Sequence, residues 1–358
     1  MKVFKLIFLL CLLLSYTACG DVLYLSRLGW HQSYVTFHSV PVEEVLRSEE
    51  TDPLTKERVR FIQEVKRYGE GRLGLKRTKN YSKFFDARAP VLYVITACEK
   101  DRLHPYHWDF PIVGRVTYKS FFRVDQAAKE KEFLDRKDYD TFLQPAAAYS
   151  TLGWLRDPIF STMLGWDEGI LAQVILHEMV HATVYYKDET DLNEQIATFI
   201  GNRGAIDFLT EKYGPGSKEV ALAIMYQEDD LLISRWIDRT CKRLSAFYEQ
   251  PISRDEKLRR RQEIFRSIKE EFSDIRAQLR TECYKDFDTL DLNNAVLLAY
   301  RRYVHHLDRF SALYEYFGKD LKRMVKFFKE VKASNEDPNA FLERWMKERG
   351  VTVPFFQR

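Results

Sequence analysis

The sequence has few cysteines, almost no charge imbalance and only one long apolar run. Five of its 358 residues are cysteines, and one of these, Cys11, lies within the N-terminal apolar run. The remaining cysteines are too few for a disulfide framework. Because 56 basic residues nearly balance 53 acidic ones, the net charge is +3, and no strong field of one sign indicates a nucleic-acid partner. A polytopic membrane protein is excluded, since it would need several long apolar runs.

The composition favours a folded chain. Apolar residues make up 45% of the sequence and aromatic residues 14%, which suffices for a sizeable core and excludes a disordered chain. The sequence contains no internal repeat and no low-complexity linker. We therefore predict one domain over residues 19–358.

The N-terminus is typical of an export signal. A basic start precedes the apolar stretch Leu6 to Leu14, whose nine residues are too few to cross a bilayer. The following Tyr16-Thr17-Ala18-Cys19 resembles the lipobox of bacterial lipoproteins, although Tyr16 stands where an aliphatic residue is usual. We expect a signal peptide at 1–18 and lipidation of Cys19, which would anchor the protein in the bacterial cell envelope, facing the periplasm or the cell surface. The alternative is an ordinary cleaved signal with Cys19 incidental.

Apolar periodicity predicts an α+β fold that is predominantly helical, with a small mixed sheet near the middle. Helices are expected before residue 85, with a break at Thr51-Asp52-Pro53, and again from residue 168 onward. The predicted strands are 91–95 and 113–122, an extended stretch is expected at 146–154, and the helices are 124–138, 168–186, 192–212, 218–249, 254–284, 293–317 and 321–331. The charged helices at about 218–284 suggest an antiparallel hairpin, either a solvated face or a partner surface.

A candidate metal site lies in the helix predicted after residue 168. Residues 177–181 read His-Glu-Met-Val-His, the H-E-x-x-H pattern of zinc-dependent peptidases. His177 and His181 are about 40° apart on one helix face, so both imidazoles can bind one metal ion. Glu178 lies beside them as the candidate general base and acid. The alternative is a surface helix with an unremarkable pair of histidines.

Catalytic zinc is expected to have three protein ligands, and Glu194 is the best third candidate. Twelve residues separate it from His181, enough for the chain to turn and return antiparallel. The small residues Ala197 and Gly201 would let the two helices approach closely. Two alternatives remain. Glu194 could instead cap its helix, because Asp191 to Glu194 reads D-x-x-E, or the ligand could be Asp188, Glu189 or Asp191, one of which could also orient a histidine.

Longer segments resemble a known family. They are Trp108 to Gly114, Ala148 to Trp154, Val184 to Lys187, Asn193-Glu194, Ala197 to Phe199, Leu292 to Ala295, Tyr303 and Phe310 to Leu313. These segments are similar to the bacterial lipoproteins called predicted aminopeptidases, zinc peptidases of the gluzincin type, from about residue 22 to about 330. The resemblance implies a zincin-like core in which the H-E-x-x-H helix packs on a Glu-ligand helix, with one Zn²⁺ per chain and a peptide substrate.

The chain departs from the family pattern at two places. Asp109 and Arg115 replace a pair of cysteines, and an ion pair between them would replace a covalent clamp at a stability of only about 0–1 kcal/mol. Asp188-Glu189 stands where the family has Gly-Asp. Neither departure changes an expected zinc ligand. Both affect residues that would determine the rigidity of the surrounding loops.

The resemblance also implies a mechanism and further site residues. Glu178 would take a proton from zinc-activated water and pass it to the leaving amine. Tyr303 is the expected oxyanion donor, with Tyr149, His305 and His306 as alternatives, whereas Tyr185, one helical turn after His181, is expected to pack. Tyr149, Thr151 and Gly153 would bind substrate backbone by strand addition. Candidates for binding a substrate amine are Asp157, Glu168 and Asp109.

The sequence is compatible with three functions. The leading one is a lipid-anchored zinc aminopeptidase. The others are an envelope endopeptidase and a non-catalytic metal-binding lipoprotein that binds a partner through residues 218–284. The presence of Glu178 argues against the last, since a metal scaffold needs ligands and no acid–base carboxylate.

Overall fold

Helices make up most of the described chain, and the sheets are small, in agreement with the predicted α+β class. The computed structural model describes residues 24–87, 92–110, 114–146 and 156–353. The helices are α1 (24–38), α2 (Val42–Arg47), α3 (Pro53–Gly71), α4 (Val124–Arg136), α5 (Glu168–Thr183), α6 (Thr190–Tyr213), α7 (Lys218–Tyr248), α8 (Arg254–Arg276), α9 (Asn294–Val304), α10 (Leu307–Tyr316), α11 (Leu321–Ala333) and α12 (Pro338–Glu348). The strands are β1 (Val40–Pro41), β2 (Lys83–Phe85), β3 (Tyr93–Glu99), β4 (Trp108–Phe110), β5 (Gly114–Val116), β6 (Tyr118–Phe121), β7 (Tyr139–Pro145) and β8 (Ile159–Phe160).

The strands form separate small sheets where the sequence predicted one mixed sheet. The central sheet has the order β6-β3-β7 and is antiparallel throughout. A second sheet, β1-β2-β8, combines an antiparallel and a parallel pair, and β4 and β5 form a hairpin. Strand β7 was not predicted from the sequence. It pairs with the whole of β3, so tertiary pairing stabilises a segment whose own strand signal is weak.

The predicted helix break at Thr51-Asp52-Pro53 is confirmed. Asp52 is the N-cap of α3, and its carboxylate accepts a hydrogen bond of 2.9 Å from the Thr55 backbone N–H. Pro53 occupies the first helical turn, where no backbone donor is needed. The two helices therefore separate where local capping chemistry requires it.

Two helix boundaries predicted for the second half of the chain are wrong. The helix expected to reach residue 284 ends at Arg276, because the Asp229 carboxylate on α7 accepts from the backbone N–H groups of Arg280 and Thr281, each at 2.9 Å. The single helix expected over 293–317 is split into α9 and α10 at His305 and His306.

The core is centred on α5 and α6, which are buried on nearly every side. Helices of this kind lie inside a protein, whereas an amphipathic helix lies at its surface. Gly201 of α6 lies against α5 so closely that a Cβ there would be 2.8 Å from the Gln173 carbonyl oxygen and 3.3 Å from the His177 backbone nitrogen. The expected close approach at a small residue is therefore present.

Helix α9 is fixed to the central sheet by buried polar contacts. Asn294 is fully buried, and its side-chain amide donates to the Glu99 carbonyl at 2.8 Å. Its backbone N–H donates to Asp140, which also accepts two hydrogen bonds from Arg261 at 2.7 and 2.9 Å. These contacts determine the position of α9 and therefore of Tyr303, which it carries.

The expected ion pair between Asp109 and Arg115 is present. The two residues are direct cross-strand neighbours of the β4–β5 hairpin, and Arg115 Nε lies 3.2 Å from Asp109 Oδ1. The predicted signal peptide, Cys19 and the substrate-binding candidates Tyr149, Thr151 and Gly153 lie outside the described residues. Among the helices that are described, none combines the length and apolarity of a membrane span.

Candidate metal centre

Helix α5 carries the H-E-x-x-H residues in its C-terminal half, where all five are buried. Asp167 caps the N-terminus of α5 by accepting from the Ile170 backbone N–H at 3.0 Å. Since α6 returns alongside α5, its first turns face the last turns of α5. The side chains of His177 and His181 consequently point towards Glu194.

The three candidate ligands converge on one point. Glu194 Oε2 lies 3.1 Å from His177 Nε2 and 3.3 Å from His181 Nε2, and the two histidine Nε2 atoms are 3.0 Å apart. All three residues are buried. Glu194 lies inside α6, whose N-cap is Glu189, so its carboxylate faces the histidines and does not cap the helix.

The donor set has the chemistry of a zinc site. Two imidazoles and one carboxylate are the protein ligands of one common class of catalytic zinc, which leaves a fourth position open. Ligand atoms at zinc bond lengths lie about 3.3–3.6 Å apart in a tetrahedron, and here they lie 3.0–3.3 Å apart. Small side-chain rotations would suffice for binding. Two facing imidazole nitrogens cannot both donate to each other, whereas both can bind one cation.

Charge interactions within this triad are strong. Burial raises the pKa of Glu194, but the neighbouring His181 and His177 lower it more, so its pKa is well below the usual range. Burial lowers the pKa of His181, and the Glu194 and Glu178 carboxylates outweigh that effect and raise it. The carboxylate of Glu194 is therefore held in its charged form, the form in which a carboxylate can bind a metal ion.

Glu178 lines the same cavity as the triad and is itself buried. Burial raises the pKa of Glu178 above its usual range, the nearby His177 and His181 lower it, and Glu194 raises it. A carboxyl group whose pKa is moved towards neutrality is suited to proton transfer.

Two tyrosines meet at the triad, one predicted and one missed. The ring of Tyr303 lies 6.2 Å from the ring of His177, and burial raises its pKa, so its phenol is a hydrogen-bond donor. Tyr118, which the sequence did not indicate, donates to Glu194 Oε1 at 3.4 Å. Such a contact orients a ligand carboxylate. Tyr185 lines the cavity as well.

Arg302 joins α9, the helix that carries Tyr303, to the central sheet, to which Tyr118 itself belongs. It is almost fully buried and donates to Thr96 Oγ1 and the Thr117 carbonyl, each at 3.0 Å. Its guanidinium lies 4.8 Å from the centre of the Tyr118 ring. Arg302 is therefore a second site residue that sequence reasoning missed, and it fixes Tyr303, its neighbour in the chain.

The alternative third ligands lie elsewhere. Asp188 accepts from the Arg115 backbone N–H at 2.6 Å, Glu189 accepts from Asn339 at 2.9 Å, and Asp191 accepts from Thr117 at 3.4 Å. The Nδ1 atom of His181 has no hydrogen-bond partner among the described residues. None of the three carboxylates therefore orients that imidazole.

The candidates for binding a substrate amine are also absent from the described lining of the cavity. Asp109 is exposed on the hairpin and paired with Arg115, and Asp157 is buried against Asn80 at 3.0 Å. Glu168 lies 3.6 Å from the Arg58 guanidinium. The described residues that line the cavity include a different third carboxylate, Asp230, besides Glu178 and Glu194.

His305 and His306 form a separate cluster with Asp238. The two rings are 3.4 Å apart, and Asp238 contacts the side chain of His305 and the backbone N–H of His306. The pKa of His306 is lowered to about 4, chiefly by burial and then by His305, with smaller lowering effects of Arg309 and Arg301 and an opposing effect of Asp238. Because α9 ends at this point, the two rings lie side by side with an angle of 35° between them, and they do not diverge as adjacent side chains on one helix would. Neither histidine lines the cavity.

Together, the fold and the site define a class of protein. It is a predominantly helical α+β protein with a buried His-His-Glu cluster in a cavity of about 780 Å³. The family model described as "Putative aminopeptidase" matches residues 23–344. The chain therefore belongs to this aminopeptidase family, and membership supports a peptidase function. No curated protein and no solved structure matches the chain.

Proposed function

We propose that the protein is a zinc-dependent aminopeptidase with a zincin-like core of the gluzincin type. His177, His181 and Glu194 hold one zinc ion per chain, and Glu178 is the general base and acid. The convergence of three buried donor atoms within 3.0–3.3 Å, in the same cavity as Glu178, carries this proposal. The family match over residues 23–344 supports a peptide as substrate.

When bound, the metal supplies Lewis acidity, which activates a water nucleophile and polarises the scissile carbonyl. Glu178 accepts a proton as the water oxygen bonds to the carbonyl carbon. The C–N bond then breaks, and Glu178 returns the proton to the leaving amine. Proton transfer of this kind contributes typically about 10²–10⁴ in rate, or about 3–6 kcal/mol.

Tyr303 donates a hydrogen bond to the oxyanion that develops on the carbonyl oxygen. Its place in the cavity and its protonated phenol support this role. Tyr118 holds Glu194 in its ligand orientation, and Arg302 keeps α9, which carries Tyr303, attached to the sheet. These side chains are set before substrate arrives, and such preorganisation gives electrostatic stabilisation its effect.

The proposed location is the bacterial cell envelope. A signal peptide over 1–18 and lipidation at Cys19 would anchor the enzyme in a membrane and leave the domain facing the periplasm or the cell surface. The N-terminal sequence supports this proposal. The near-balanced charge gives no reason to propose a nucleic-acid partner.

The test is cleavage of a peptide library by the zinc-loaded protein, with Glu178→Gln as the control, analysed by mass spectrometry. Trimming from the N-terminus by the unmodified protein alone supports the aminopeptidase. Internal cuts by the unmodified protein alone keep the metallopeptidase and favour an envelope endopeptidase. If both proteins bind about one zinc and neither cleaves, a metal-binding scaffold that uses the helices at 218–284 replaces the enzyme.

A further inference from the structure

The cavity continues well beyond the triad, in a groove between α5 and α6. Its lining on α5 includes His177 and Gly169, and its lining on α6 includes Glu194 and Asn202. Each pair is eight residues apart, which corresponds to about 12 Å along a helix axis. The part of the cavity beside Gly169 and Asn202 is therefore about 12 Å from the triad.

A carboxylate from a third helix lies in this part of the cavity. Asp230 of α7 lines the cavity, and its two oxygens accept hydrogen bonds from the Tyr284 hydroxyl and the Asn202 side-chain amide. A carboxylate has about four acceptor positions, so two neutral donors leave room for another. Tyr284 adopts a φ of +78°, which is uncommon for a residue other than glycine and is often found at functional sites.

The charge of Asp230 is not balanced within the described part of the chain. Among the described residues, no lysine or arginine lines the cavity and none forms an ion pair with Asp230. The pKa of Asp230 is raised to about 6, chiefly by burial and slightly by Asp229, because these effects outweigh the lowering by the hydrogen bonds from Tyr284 and Asn202. A partly desolvated carboxylate without a cation in a cleft is a candidate for binding one.

We propose that Asp230 binds the N-terminal ammonium group of the peptide substrate and that the cavity accommodates about three substrate residues between this group and the scissile bond. The inference rests on the proposed peptidase function. An extended peptide spans at most about 3.3–3.6 Å per residue, so 12 Å accommodates three residues. The enzyme then releases short N-terminal peptides of about three residues, and single amino acids are not its first product.

Glu178 and Glu194 cannot take the place of Asp230 in this role. Both lie at the triad, where one transfers protons and the other binds the metal. They are the other two carboxylates in the described lining of the cavity. Asp230 therefore remains to recognise the amine, and its distance from the triad determines the length of the released product.

Binding is the first test, because it does not depend on turnover. The protein carrying Glu178→Gln is titrated by calorimetry with an alanine-rich hexapeptide, with its N-acetylated copy, and with an acetylated copy that contains lysine. Acetylation is expected to weaken binding about 10- to 100-fold, the range of a charge-assisted hydrogen bond. Adding Asp230→Asn should remove most of this difference.

The matched control is Glu228→Gln, which removes a negative charge from an exposed position of the same helix. It should leave the effect of acetylation unchanged. Equal binding of the free and acetylated peptides to the Asp230-containing protein overturns the inference without any need for the Asp230 variant to fold. Restored binding of the lysine-containing acetylated peptide also overturns it, because the site then recognises a side chain.

The second test is the length of the first product released by the zinc-loaded protein, read by mass spectrometry from a free decapeptide. N-terminal fragments of two to four residues support the inference, and single amino acids contradict it. Peptides that bind and are cleaved without regard to their N-terminus refute the role of Asp230 alone. A protein that neither binds nor cleaves any peptide refutes the peptidase function as well.

Discussion

Replacing Gly201 with alanine tests whether the contact between α5 and α6 sets the geometry of the metal ligands. The new Cβ would lie 2.8 Å from the Gln173 carbonyl oxygen and 3.3 Å from the His177 nitrogen, and both atoms belong to the α5 backbone. An ordinary contact begins at 3.4 Å, so the helices must separate by about 0.6 Å. Metal sites tolerate deviations of about 0.2 Å.

Two effects of opposite sign determine the stability of this variant. Overpacking a close contact costs about 1–3 kcal/mol, whereas alanine favours a helix over glycine by about 1 kcal/mol. The free energy of unfolding of the metal-free protein should therefore fall by about 0–2 kcal/mol. Because the ligands on α5 and α6 move apart, zinc affinity should fall by about 10- to 100-fold, as when the support of a ligand is lost.

Gly204→Ala is the matched control on the same helix. Its Cβ would meet the Cδ1 atoms of Leu176 and Leu73 at 2.9 and 3.0 Å, and these ends of flexible side chains can move aside. Urea unfolding of the metal-free proteins and chelator competition for zinc measure both quantities. If Gly201→Ala binds zinc as tightly and unfolds at the same urea concentration as Gly204→Ala, helix separation at Gly201 does not control the site.

Two further predictions concern stability. Arg261→Met should lower the free energy of unfolding by about 3–5 kcal/mol, because it leaves the buried Asp140 carboxylate without its cation. The control Arg259→Met, at an exposed position of the same helix, should lower it by only about 0–1 kcal/mol. Urea unfolding measures both losses, and equal losses would contradict a special role for the buried pair. The pKa of His306 is about 4 when folded and 6.5 when unfolded, so the unfolded chain binds the proton first and stability falls as pH drops from about 6.5 to about 4. The loss in free energy of unfolding is about 3 kcal/mol without screening, and roughly half that with solvent screening of the His306 side chain, which is 30% exposed. In thermal unfolding between these pH values, the stability of His306→Gln should decline less than that of the unmodified protein. An equal decline in both proteins would refute the assignment to His306.

The sequence predicted the α5–α6 pair because its signals are local. The spacing of His177 and His181 follows from helix geometry alone, and Gly201 marks a close approach through its missing side chain. The carboxylate at Glu194 follows from the length of the connecting loop. These three features need no knowledge of distant parts of the chain.

The break between α9 and α10 lacks such a local signal. Residues 304–307 contain neither proline nor glycine, so apolar periodicity continues across them. The chain nevertheless leaves the helix, with His306 at a φ of +56°, and Asp238 of α7 accepts from the freed His306 N–H at 3.3 Å. A tertiary partner 68 residues away in the sequence therefore determines this boundary.

Tyr118 and Asp230 were missed for a related reason. Tyr118 is 76 residues from Glu194 in sequence, and Asp230 follows Glu228 and Asp229 in a run of acidic residues. Nothing in that run distinguishes the exposed Glu228 from Asp229, which holds a loop, or from Asp230, which faces the cavity. Only the packing of α7 against α6 gives the three carboxylates different roles.

The two sites at which the resemblance implies a departure from the family, Asp109 with Arg115 and Asp188 with Glu189, act on one loop. Asp188 has a φ of +66°, which favours glycine and costs about 1–2 kcal/mol for other residues. Its carboxylate compensates by accepting a 2.6 Å hydrogen bond from the Arg115 backbone N–H, an interaction of about 1.5–3 kcal/mol. The exposed Asp109–Arg115 pair adds only about 0–1 kcal/mol. The β4–β5 hairpin is thus held against the loop before Glu194 chiefly by Asp188. A glycine at position 188 would remove the backbone strain, but it would also remove the carboxylate contact that anchors the hairpin.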